Sequence, residues 1–468
     1  MAMAEAQAKF LTGNLFAHIS VMASTFSIGL MAVFAVDFID MIFIAMLGKE
    51  ELAAAVGYAA AILFFNTSFG IGMAVAAGAL VARALGEGNQ ARAEARKTHA
   101  LAYGAIFGIC FAAAVWVNLP WLVTLMGATG ETADLTLSYL RITVPALPFL
   151  MIGIIGGAIL RAHGDARRAM MSTIWGGLVN AVLDPILIFG LGLELTGAAL
   201  ASVAANVAIA VMALRPIIRF YGGLGRPQLG PMLRDLGPIL AIAAPAILTQ
   251  IATPVGQAIV TRTMAQFGEA AVAGMAIVGR LTPLAFAIIF ALSGAVGPIL
   301  GQNFGARDHD RVRRGFNDAV LFTAMVIVLV SVILFCLRTQ IAALFDATGV
   351  TRELVFLFCG PLSLLFFFNG VLFVGNAAFN NMGRPFYSTF LNWGRNTVGM
   401  VPLVLLGAWA FGPAGVLIGQ ALAGVIFGVI AWVLARRVMR AAAADGGPVK
   451  KSEFGRQGRL MSLFHLRR

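Results

Sequence analysis

The chain has 468 residues, of which 60% are apolar and 12% charged, and its formal net charge is +12. Soluble domains carry about 25% charged residues because their surfaces face water, so a large water-soluble protein is excluded. The positive balance does not point to nucleic acid either. Lys and Arg fall in the short gaps between apolar runs rather than along one amphipathic face, which is the distribution that membrane topology produces.

The first apolar stretch has no basic region ahead of it and is too long for a cleavable leader, so it reads as the first span. About 20 helical residues cross a hydrocarbon core. On that measure spans are predicted at 14–46, 52–81, 98–120, 134–160, 169–190 and 196–218. A second set follows at 236–266, 270–300, 316–338, 350–379, 387–410 and 413–438. The expected fold is an all-α membrane protein of twelve transmembrane helices. Gaps after the even spans hold clusters such as Arg92, Arg96 and Lys97, Arg161, Arg167 and Arg168, and Arg311, Arg313 and Arg314. Odd gaps hold little beyond Lys49, Arg338 and Arg352. Positive loops stay in the cytoplasm, which puts both termini there. The basic tail from Arg436 to Arg468 agrees, and reads as a solvated anchor to anionic headgroups.

The chain also repeats itself. Gly48 answers Gly268, Gly86 answers Gly305, Gly164 answers Gly383, and Gly190 answers Gly407, at offsets of 220, 219, 219 and 217. Two six-span halves that both begin in the cytoplasm form a parallel repeat about an axis along the membrane normal, an architecture typical of transporters. The division expected is 1–225 for the first lobe, 226–440 for the second and 441–468 for the tail.

Charges inside the spans carry the functional signal, because a mid-membrane charge costs about 2.5–3.5 kcal/mol on insertion scales. They are Asp37, Asp40, Arg141, Asp184, Arg262, Arg280 and Arg395. The arginines are expected to snorkel or to pair with carbonyls and acids. The acids are unequally shared: Asp40 falls opposite Val260 and Asp184 opposite Val401. A purely structural acid would recur in both halves, so the first half is expected to bind a cation. Asn180 and Asp184 are four apart on one helical face, and Asp37 and Asp40 share another. Ser202 and Asn206 repeat the four-residue spacing. These oxygen donors suit a hard cation such as Na⁺, and a buried carboxyl equally suits a proton.

Cys110, Cys336 and Cys359 lie in apolar runs without ligand spacing and read as packing residues. No P-loop is present, and no histidines pair at metal spacing, so no cofactor is expected. The Phe-rich stretch 364–373 and the 20 methionines suit lipid contact and packing, and also an adaptable pocket.

FIDMIFIAMLG (38–48), ARALGEGNQARAEAR (82–96), ILRAHGDARR (159–168) and NAVLDPILIFGLGLELTGAALAS (180–202) resemble the multidrug and toxic compound extrusion (MATE) family of secondary antiporters. GPILGQNFGA (297–306) and NNMGRP (380–385) resemble its second-half loops. The likeness runs from about residue 14 to 438 and implies two pseudo-symmetric six-helix bundles in a V. It also implies that Asp40, Asn180, Asp184 and Ser202 couple a cation, H⁺ or Na⁺; Asp37 and Asn206 are expected as accessory residues by their spacing alone. Asp40, Asn180 and Asp184 would be the Na⁺ ligands. Asn369 stands where NorM-like members carry an acid, so the chain looks closer to the DinF-like branch. Thr25 stands where the family often has a helix-one proline, whereas its repeat mate Pro245 keeps one. The function implied is export of amphipathic or cationic organic compounds by a monomer in the bacterial inner (plasma) membrane. The alternative is a lipid-linked saccharide flippase.

Overall fold

The computed structural model describes residues 8–444. The lipid-anchoring role expected of the basic tail therefore falls, beyond 444, outside the described residues. All regular structure described is helical. In chain order the helices are α1 (Leu15–Met46), α2 (Glu50–Gly86), α3 (Gln90–Val117), α4 (Leu119–Leu125), α5 (Gly130–Thr143), α6 (Leu147–Ala162), α7 (Ala166–Pro185) and α8 (Glu194–Phe220). There follow α9 (Leu229–Ala265), α10 (Glu269–Ala285), α11 (Ala287–Gly305), α12 (His309–Leu344), α13 (Gly349–Leu357), α14 (Ser363–Asn381), α15 (Pro385–Trp393) and α16 (Met400–Ala444).

Among the described residues, eleven segments are long and apolar enough to cross a bilayer. The last, Pro385–Ala444, contains two passes, because the helical path is broken at Gly412 (φ 60°, ψ −140°). A Cβ at Gly407 would overlap the Gly415 backbone, and one at Gly419 the backbone of Leu403. Residues 8 and 16 apart meet only if the chain turns back on itself, since a helix would hold them about 12 and 24 Å apart. Counting both passes gives the twelve expected. Where a span is not one helix, proline explains it. Pro283 precedes the break at Phe286 between α10 and α11, and Pro145 lies in the 3-10 turn Val144–Ala146 between α5 and α6. Proline removes a donor and clashes with the preceding turn.

Packing divides the chain into two compact units. The first takes Ile28–Ala243, and the second takes Phe10–Ser27 with Ala244 onward. The opening turns of α1 thus belong with the second unit, and those of α9 with the first. Polar side chains hold each in place. In the first unit, His99 Nδ1 lies 2.7 Å from Asp235, and Lys97 Nζ donates to the Tyr221 carbonyl at 2.5 Å. In the second, Gln302 accepts from Phe10 N at 2.9 Å, and Arg311 donates to the Phe10 carbonyl at 3.0 Å. Within the first unit Gly153 of α6 and Gly176 of α7 both receive the Ile209 side chain of α8, where a Cβ would collide. Small residues let membrane helices approach closely in this way.

The repeat is written into the backbone. Left-handed residues recur in pairs: Gly48 with Gly268, Gly88 with Arg307, Gly127 with Asp346, Gly130 with Gly349, Gly164 with Gly383 and Gly192 with Gly412. Each offset is 219 or 220. Helix caps follow, since Asn89 accepts from Arg92 N and Asp308 from Arg311 N. On α12, Leu321, Met325, Val328, Leu329 and Val332 are all more than half exposed. So wide an apolar face is stable against lipid and not against water.

Candidate functional site: an acid pair in the first unit

Helices α1 and α7 approach closely along one seam. A Cβ on Gly29 would touch the Met170 backbone at 3.6 Å, and one on Gly177 would press the Val36 side chain at 2.9 Å. One turn further along α1, the same seam carries Asp40. It meets Asn180 and Asp184, whose four-residue spacing on α7 stacks them on one face. With the Asn180 carboxamide turned so that its NH₂ faces Asp40, it donates to both carboxyl oxygens at 3.0 Å. The carboxyls of Asp40 and Asp184 stand at hydrogen-bond range of each other.

Asp184 is 1% exposed and Asn180 4%. Asp184 Oδ1 has no hydrogen-bond partner. No Lys or Arg forms an ion pair with either acid among the described residues. Two carboxylates so close repel each other, and the arrangement is relieved by a proton shared between them or by a cation at their oxygens. Clusters of three or more His, Cys, Asp or Glu able to hold a metal are absent among the described residues. A cation here would therefore use two carboxylates and neutral oxygens.

The other predicted residues separate. Ser202 of α8 is half-buried and lies near the hydroxyl of Tyr139 on α5. Asn206, one turn beyond, is half-buried and makes no hydrogen bond to the trio among the described residues. Asp37 is exposed. Arg141, Arg262 and Arg280 are exposed too, and Arg395 is half-buried.

Tyr139 is the member that sequence reading missed. Its signal was a phenolic hydroxyl within an apolar span, a group that needs a partner where water is scarce.

The second unit has its own polar cluster, on the helix pair that corresponds to α6 and α7. Asn376 and Asn380 of α14 face Ser388 and Asn392 of α15. Asn392 donates to Asn376 Oδ1 at 3.2 Å, and Ser388 to Asn380 Oδ1 at 3.3 Å. All four are buried. Asn369 is 7% exposed, and its Oδ1 is unpartnered.

A family model described as MatE matches residues 26–186 and again 245–405. The two matches are displaced by 219 residues, the spacing of the left-handed pairs, and together cover more than half of the chain. The chain belongs to the MatE family. It is a multi-pass membrane transporter and not an enzyme. Among curated relatives, the "FAD transporter" of Shewanella oneidensis is 27% identical over 89% of this chain and 94% of its own length. The "Multidrug export protein MepA" of Staphylococcus aureus is 25% identical over 86% and 90%. A crystal structure titled "MATE in the bent conformation" superposes with a TM-score of 0.88 at 23% identity, covering 95% of this chain and 99% of that one. An "Outward-facing conformation of a multidrug resistance MATE family transporter" gives 0.88 at 22% identity, over 94% and 99%. At these identities the structures establish the fold.

Proposed function

We propose that this MatE transporter is a cation-coupled antiporter that exports organic compounds in exchange for H⁺ or Na⁺, with Asp40, Asn180, Asp184 and Ser202 as its coupling residues. The observation that carries the reading is the Asp40–Asp184 pair, half-buried at Asp40 and buried at Asp184, braced by Asn180 and unmatched in the other repeat, where offsets of 219 and 220 give Ile259 and Val260, and Leu403 and Val404. One charge moving inward across 100 mV releases about 2.3 kcal/mol, enough to sustain a gradient of ~50-fold for an uncharged substrate. Binding at the pair couples this energy to shape, because occupancy changes which helix packing is favoured. Asn369, a carboxamide where NorM-like members carry an acid, supports placement with the DinF-like branch. The arginine-rich even loops support a plasma-membrane location with both termini in the cytoplasm.

The test is transport by reconstituted vesicles. Asp40→Asn and Asp184→Asn should each abolish substrate efflux driven by an imposed H⁺ or Na⁺ gradient, at normal expression. Full ion-driven efflux in both variants would remove the coupling role.

A further inference from the structure

We propose that Arg395 of the second unit binds the anionic group, a carboxylate or phosphate, of an organic compound with an apolar aromatic body. The proposal names a substrate class for the antiport reading above and rests on it.

Arg395 lies ten residues into the span that begins at Pro385, about 15 Å along it, on a π-helical turn, Gly394–Val398. Ser388 and Leu391, seven and four residues earlier, share its face of the helix. Ser388 is 1% exposed and donates to Asn380 of α14, and Leu391 is 4% exposed. That face is the interior of the second unit, whereas Phe390, 82% exposed, marks the outer side of α15. Arg395 is nonetheless only half-buried. A charge in a membrane span that points inward and stays accessible faces a polar opening.

The charge is not neutralised. Arg395 makes no ion pair and no hydrogen bond among the described residues. Helices α11, α14, α15 and α16 carry no Asp or Glu. The bonds from Asn392 to Asn376 and from Ser388 to Asn380 set α15 antiparallel to α14, which brings position 395 level with Phe373. One turn further along α14 is Asn369, with Oδ1 unpartnered. Both residues border the same turn of α16. A Cβ on Gly424 would stand 3.0 Å from Asn369 Oδ1, and one on Gly394 or Gly399, either side of Arg395, would collide with the Phe427 ring.

A guanidinium fork matches a carboxylate or phosphate, and a carboxamide can turn its NH₂ towards the same group. The apolar body has an aromatic wall beside it. The Phe373 ring lies 5.4 Å from that of Phe290, which lies 5.9 Å from Phe366, and all three are half-buried. In the first repeat, offsets of 219 and 220 place Gly176 and Trp175 at this position, so only the second unit offers the charge.

Naphthoate and naphthamide share one shape and differ in charge, so the ratio of their affinities reads recognition of the anion. Equilibrium binding of both would be measured on the purified full chain. The unsubstituted protein should prefer naphthoate. Arg395→Gln should reduce that preference about tenfold, the scale of one lost ion pair in a partly screened site, and Arg395→Lys should retain it. Without ligand, the thermal midpoint of Arg395→Gln should equal or exceed that of the unsubstituted protein, because no partner is orphaned. A midpoint lowered by several degrees would make the arginine structural and overturns the proposal. An unchanged ratio in Arg395→Gln overturns it too, as does an unsubstituted protein with no preference for naphthoate, whether or not chloride binds. The coupling reading fails by a different result, ion-driven efflux surviving in Asp40→Asn and Asp184→Asn, which leaves the binding ratio untouched.

Discussion

The two repeats turn their chains at corresponding places but carry their polar clusters on different helix pairs. In the first, α1 and α7 bring Asp40, Asn180 and Asp184 together, and the group holds more negative charge than its neighbours neutralise. In the second, α14 and α15 bring Asn376, Asn380, Ser388 and Asn392 together, and these neutral groups bond to each other. One cluster is closed upon itself and the other is unfinished. The difference teaches that a polar network inside a membrane protein is structural when its members satisfy one another, and functional when something from outside must complete it.

Substitutions in the two clusters sharpen that contrast. The largest effect is expected at Asn180. Asn180→Leu strips Asp40 of both its amide hydrogen bonds, and efflux driven by an ion gradient should fall at least tenfold in reconstituted vesicles. Asn392→Leu leaves Asn376 Oδ1 without its donor. A buried group so orphaned costs about 1–3 kcal/mol, which should lower the thermal midpoint in detergent by several degrees while ion-driven efflux per folded molecule persists. The reverse outcome, coupling lost with Asn392 and kept without Asn180, would exchange the roles of the two clusters.

The turns should also differ in degree. Gly412 has φ 60° and ψ −140°, a region only glycine occupies readily, so Gly412→Ala should cost about 1–3 kcal/mol. Gly192, at φ 63°, should cost ~1 kcal/mol on the same change. Thermal midpoints of the two variants, measured together, check the order.

The smallest effect concerns pH at the turn between α6 and α7 of the first unit. His163 lies between the spans, with its ring 4.6 Å from that of Tyr221. Burial holds its pKa down to about 4, from an ordinary 6.5. The unfolded chain takes up the proton first, so stability from the neutral ring is complete above about pH 6.5 and is lost as pH falls towards 4. His163→Phe should flatten the fall of the thermal midpoint between those values.

Much of the fold was legible in the order of residues. Apolar runs longer than a bilayer is thick, arginines in alternate gaps and glycines at a fixed offset are local properties, and each survives in the structure as span, loop or turn. The four-residue spacing of Asn180 and Asp184 likewise announced a shared face. What the sequence could not state is distance between helices. Asp37 and Asp40 are three residues apart and seemed equivalent, yet one is exposed and the other joins Asp184 across 144 residues of chain. Tyr139 and Ser202 sit on α5 and α8, and nothing in either segment names the other.

The reason is that a helix dictates which side chains share its own face through a period of 3.6 residues, whereas the neighbour of that face is set by packing. The seam of Gly29, Val36 and Gly177 decides how closely α1 and α7 meet, and so which acid is enclosed. Sequence alone determined a series of apolar runs long enough to cross a bilayer and their repetition 219 residues apart. Tertiary structure decided which of its carboxylates became a pair.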